Sequence, residues 1–197
     1  EETIARLEAK GMACKGRLGD IVVNALSGEM EEAFDVLPYA EKLWQWLNDS
    51  GRLAELPGKF KMVFSSTEKD EGNASFADLG FYAKMVDGKP CFDVYAAGSL
   101  GAMPMLGVKI EENLPAEDFL CAADKLTQFY IDLFADVKVF KKRLRFKLRE
   151  LGEATFKSRY QTYHSNVPSC SIGVKVKENT FAPEVEGLIS LRNHTYG

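Results

Sequence analysis

A chain of 197 residues, 46% hydrophobic and 27% charged, can bury a real core and reads as one domain, or one domain and part of another. Its net charge of -4 argues against broad nucleic-acid binding, and no apolar run reaches the length of a membrane span. Cys14, Cys91, Cys121 and Cys170 lie far apart with no CxxC pair. That spacing argues against a zinc site or an iron–sulfur cluster built from this chain alone, and it suits free thiols in a reducing cytoplasm. No signal peptide is visible, and the chain begins at Glu1 rather than Met, so it reads as a fragment of a longer protein.

In chain order, EETIARLEAKG predicts a short helix with Ile4, Ala5 and Leu7 on one side and Gly11 as its stop. GDIVVNAL contains a strand core, Ile21 to Val23. DVLPYAEKLWQWLNDSG predicts a helix with Asp35 as cap, Pro38 in the first turn, a stripe of Leu43, Trp46 and Leu47, and Gly51 at its end. KFKMVFSS predicts a strand. Leu79 to Met85 and Cys91 to Ala96 predict the arms of a hairpin turned at Asp87-Gly88. A long helix opens at Pro115, with Phe119, Leu120, Ala123, Leu126, Tyr130, Leu133 and Phe134 near the 3.6-residue period. A basic helix is expected over Val137 to Leu151, its Lys141, Lys142, Arg143 and Arg145 reading as a solvated face. A third helix is expected over Glu153 to Tyr163. SIGVKV is strand-like. Strands in the middle and helices toward the end predict an α+β fold, a mixed or antiparallel sheet with helices packed on one side. The divisions expected are residues 1–13 as the end of a preceding segment, 14–164 as the α+β domain, and 165–197 as a linker and the start of another domain.

The residues that invite a chemical reading are Lys59 and Lys61, two apart at the start of a strand. Residues i and i+2 of a strand share a face, so the pair concentrates positive charge there. A solvated strand face is the plain alternative. A third reading is an anion-binding module built on Lys59, Lys61 and Arg17. Neither His164 nor His194 falls in a nucleophile or metal motif, and no phosphate-binding glycine loop is present.

Taken together, FDVLPYAEKL, LPGKFKMVFS, ADLGFYAKMVDGKPCFDVYAAGSLGAMPMLG and LGEATFKSRY resemble the siroheme-dependent nitrite and sulfite reductases, across about Cys14 to Tyr160. The likeness is to the first of that family's two catalytic-type domains. It implies that Lys59 and Lys61 bind the substrate anion, sulfite or nitrite, and assist proton delivery. It implies that Gly98, Ser99, Leu100 and Gly101 present backbone to the cofactor. Full-length members carry siroheme and a [4Fe–4S] cluster; the cluster's paired cysteines lie in their second half, so no cofactor is expected on this chain by itself. The partners implied are the anion, an unnamed electron donor and the remaining half of the reductase, with no nucleic acid and no membrane. The sequence departs from the family where an arginine is usual: Gly19 stands there, with Arg17 two residues earlier as a substitute, and Gly58 replaces the arginine of the lysine motif. The loss at Gly19 leaves open a non-catalytic or repurposed anion-binding domain of the same fold.

Overall fold

The computed structural model describes residues 2–10, 21–26, 32–67, 69–101, 103–137 and 142–173. The helices are α1 (Glu2–Glu8), α2 (Leu37–Asp49), α3 (Arg52–Glu55), α4 (Phe119–Leu133), α5 (Leu144–Leu151) and α6 (Glu153–Gln161). The strands are β1 (Ile21–Leu26), β2 (Phe60–Ser65), β3 (Leu79–Val86), β4 (Lys89–Ala96) and β5 (Val108–Pro115). They form one mixed five-stranded sheet in the order β1-β2-β3-β4-β5. β1, β2 and β3 are parallel; β4 and β5 are each antiparallel to the strand before. The fold is therefore α+β, as the order of elements predicts.

Alternation along the strands decides which side is buried. Phe60, Met62 and Phe64 of β2, Leu79, Phe81 and Ala83 of β3, and Phe92, Val94 and Ala96 of β4 all lie in the core. Phe64 and Phe81 stack at 4.5 Å, and Phe92 and Phe119 meet them edge-on. Tyr39 of α2 and Phe34 close the same aromatic cluster. On α4, Leu126 and Tyr130 are fully buried, and the Tyr130 ring stacks on Phe60 at 5.1 Å. The hairpin turns at Asp87 and Gly88, both at positive φ (50° and 74°), as an Asp-Gly pair favours. Pro38 sits in the first turn of α2, and the Asp35 side chain accepts the Leu37 N–H.

β2 and β3 run parallel, yet among the described residues no α-helix joins them. Part of their connection packs against the sheet at Gly80, the residue between core-facing Leu79 and Phe81. A side chain at Gly80 would strike the Ala74 carbonyl at 1.8 Å. Asp70 holds this segment together by accepting the N–H groups of Ala74 (2.7 Å) and Ser75 (3.0 Å).

Three elements differ from the sequence-based expectation. β5 is an addition to it: VKIEENLP carries three charged residues, which its place at an edge of the sheet, paired only with β4, leaves room for. Pro115 ends that strand, and a 3-10 turn, Ala116–Asp118, leads into α4 at Phe119. The basic helix begins at Leu144 rather than Val137, since Arg143 is extended (φ -132°, ψ 131°). Its expected residues 138–141, and residues 174–176 of SIGVKV, lie outside the described residues; Ser171 to Gly173 carry no regular structure. No helix among the described residues is long and apolar enough to cross a membrane.

Candidate functional site

Lys59 is half-buried just ahead of β2, and Lys61 is exposed within it, flanking the fully buried Phe60. The alternation expected for the strand thus sends Phe60 into the core and Lys61 to the other face. Gly58 explains how this end of β2 meets the rest of the chain. A Cβ there would stand 2.5 Å from the Lys142 carbonyl. The Tyr130 hydroxyl donates to that same carbonyl at 2.7 Å. Close approach at Gly58 and the Tyr130 bond fix Lys142, and the next residue, Arg143, then reaches Asp78.

Asp78, 1% exposed, immediately precedes β3. Its Oδ2 accepts the Lys61 N–H at 2.9 Å, and the Arg143 Nη2 lies 3.3 Å from both carboxylate oxygens. Its backbone carbonyl accepts the Ala97 N–H at 3.0 Å. Burial raises the Asp78 pKa above the ordinary carboxylate value; the Arg143 charge and the Lys61 N–H pull the other way.

The loop after β4 completes this end of the sheet. Ala97 is buried at φ 65°, a backbone region that favours glycine. Gly98 is buried too: its N–H donates to the Ala77 carbonyl at 2.7 Å, and a Cβ would lie 2.6 Å from the backbone of Ser75 and Phe76. The close approach that Gly98 permits is therefore made by residues 75–76 of the chain itself. Ser99 pairs with Met105 through two backbone hydrogen bonds of 2.8 Å, and its hydroxyl accepts from Arg145 Nη1 at 2.5 Å. Beyond Ser99 the loop opens outward: Leu100 is 63% exposed, Gly101 is exposed, and Met103 and Leu106 are exposed as well. Arg145 Nη1 and Arg149 Nη1 also reach Met103, at its carbonyl and its sulfur. Among the described residues the Nε atoms of Arg143 and Arg145 are buried with no hydrogen-bond partner, as is that of Arg52 elsewhere in the fold.

Of the site residues named from sequence, Lys61 is linked through Asp78 to the loop that carries Gly98, Ser99, Leu100 and Gly101. Arg17 and Gly19 lie outside the described residues. Asp78 is absent from the sequence-based site. Its signal is slight, an acid placed directly before the apolar run LGFYA. Arg143 and Arg145, expected on a solvated helix face, instead contact the site loops. No group of three or more His, Cys, Asp or Glu among the described residues could hold a metal ion. Cys91, Cys121 and Cys170 are free thiols; burial raises the pKa of Cys91 and Cys121.

A family model described as the nitrite and sulphite reductase 4Fe-4S domain matches residues 18–167, more than half of the chain. Among solved structures, the Mycobacterium tuberculosis NirA protein shares the fold, with a TM-score of 0.66 and 20% identity over 89% of this chain. The match covers 33% of NirA, so the chain spans about a third of that structure's length. No curated protein matches the sequence.

Proposed function

Because the chain belongs to the nitrite and sulphite reductase family, we propose that it forms one wall of a pocket for siroheme and a small oxyanion. The enzyme would be an oxidoreductase that reduces sulfite or nitrite by six electrons. The observation that carries this reading is the gathering of Lys59, Lys61, Arg143 and Arg145 at one end of the sheet, around Asp78 and the loop after β4.

Siroheme, when bound, supplies the iron centre that takes the anion and delivers electrons to it. The residues of this chain do the rest. Lys59 and Lys61 hold the anion by charge-assisted hydrogen bonds, which are strong where water is excluded. Their ammonium groups are also proton sources for the oxygens that leave as water. Arg143 and Arg145, planar guanidinium groups at the same end of the sheet, suit the carboxylates of the macrocycle. The outward part of the loop, Leu100 and Gly101, faces the cofactor, whereas Gly98 serves to admit residues 75–76. The described residues do not supply a ligand set for a [4Fe–4S] cluster, so its cysteines are assigned to the rest of the protein.

A second reading, a non-catalytic domain of the same fold, is favoured by Gly19 at the position where the family carries an arginine. The two separate on one experiment. Full-length protein incubated with siroheme should gain the visible absorption of the bound macrocycle and then reduce sulfite or nitrite with an artificial electron donor. An unchanged spectrum would leave the non-catalytic reading standing.

A further inference from the structure

Lys61, Arg143 and the loop after β4 are tied to one buried side chain at this end of the sheet. Asp78 accepts the Lys61 N–H, pairs with the Arg143 guanidinium, and through its own carbonyl accepts the N–H of Ala97, which opens the loop bearing Ser99. It is 1% exposed, so it does not itself meet solvent or an incoming anion. A buried carboxylate is costly unless its lone pairs are filled, and here β2 and the segment leading into α5 fill them. An arrangement that places a negative charge beneath a site for an anion is electrostatically adverse, so it calls for a geometric reason.

We propose that Asp78 is a positioning residue for anion binding: it fixes the Lys61 backbone and the Arg143 guanidinium in one orientation without touching the anion. This rests on the reading of Lys59 and Lys61 as anion ligands. The main chain at Lys61 sets where its long, flexible side chain begins, and Arg143 enters the same corner from a different element. Loss of the Asp78 carboxylate would free both at once.

Coulomb's law and positioning predict opposite signs for Asp78→Asn. Removing a negative charge near an anion site should tighten binding by charge alone. Loss of positioning should weaken it. Sulfite titrated into the full-length protein loaded with siroheme, its affinity read from the shift of the macrocycle's visible absorption, measures the difference. The expected result is sulfite affinity lowered about tenfold in Asp78→Asn, the scale of one charge-assisted hydrogen bond. Asp78→Glu keeps the charge but lengthens the side chain, so it should weaken sulfite binding as well, and it serves if Asp78→Asn does not fold. Affinity equal to or tighter than wild type in folded Asp78→Asn, or wild-type affinity in Asp78→Glu, overturns the proposal. Lys61→Met tests the underlying reading separately. If wild type does not bind sulfite, or Lys61→Met binds it as wild type does, the lysine assignment itself falls, and Asp78 falls with it.

Discussion

At the scale of single residues, the contrast between Phe60 and Lys61 separates stability from chemistry. Phe60 is fully buried and stacked on Tyr130; Lys61 is its exposed neighbour. Phe60→Ala should cost roughly 3–5 kcal/mol, read from denaturant unfolding, because it leaves a cavity under α4. Lys61→Met should leave unfolding nearly unchanged. On the proposed function it should lower sulfite or nitrite turnover of the full-length protein about 10²–10⁴-fold, the range of a positioned proton donor. Equal turnover in Lys61→Met would return the residue to a solvated strand face. Asp93 shows what a carboxylate does away from the site. Burial pushes its pKa up, but hydrogen bonds from Lys109 and Lys84 and from the Asn113 N–H more than offset this, so the folded value lies below the usual range. A depressed folded pKa means that its stabilisation is present above the unfolded value of about 4 and is lost as pH falls through the folded value. The stability gap between wild type and Asp93→Asn should therefore shrink on acidification below about pH 4. A gap that is constant from neutral pH into that range would show that the ion pairs do not contribute.

At the scale of elements, two contacts seat the helices on the sheet. Leu126 of α4 is fully buried, and the helical period alone places it on the apolar stripe. Leu126→Ala should cost roughly 2–5 kcal/mol; a change within about 0.5 kcal/mol would mean that α4 does not pack as described. The second contact is invisible to periodicity. The segment before α5 touches the start of β2 at Gly58, and the close approach there is between backbones, to which a residue pattern carries no clue. Gly58→Ala would set a methyl 2.5 Å from the Lys142 carbonyl. It should destabilise by about 1–3 kcal/mol, as overpacking does, measured by the midpoint of thermal or urea unfolding. The same contact explains why the basic helix starts late. Tyr130 takes the Lys142 carbonyl and Asp78 takes the Arg143 guanidinium, so tertiary bonds override local helix propensity at residues 142–143.

At the scale of the whole molecule, the sheet's buried face is legible in the sequence because β2, β3 and β4 alternate strongly, and the hairpin is legible because Asp87-Gly88 names its own turn. β5 is not, since an edge strand with charged residues looks like a loop. Of the proposed site, the sequence offers only residues whose type carries charge, Lys59 and Lys61. Asp78, which ties Lys61 to the other elements, is one acid among many in the sequence and becomes distinctive through burial. The scale also bears on cofactor content. Holding a [4Fe–4S] cluster takes thiolates brought close together, commonly four. The four cysteines of this chain stand far apart in sequence, and among the described residues Cys91, Cys121 and Cys170 are free thiols. Cys91 sits in the hairpin next to Lys84, and Cys121 on α4 donates to the Val167 carbonyl at 3.0 Å. On the proposed function the arginines and lysines at the end of the sheet form one wall for a macrocycle, and binding through one open wall forfeits the water exclusion that makes charge-assisted contacts strong. The 197-residue chain, purified alone, should therefore be colourless, with iron well below one atom per chain by elemental analysis. Stoichiometric iron, or a visible band that survives gel filtration, would mean that this chain by itself binds an iron cofactor through a ligand set that the described residues do not provide.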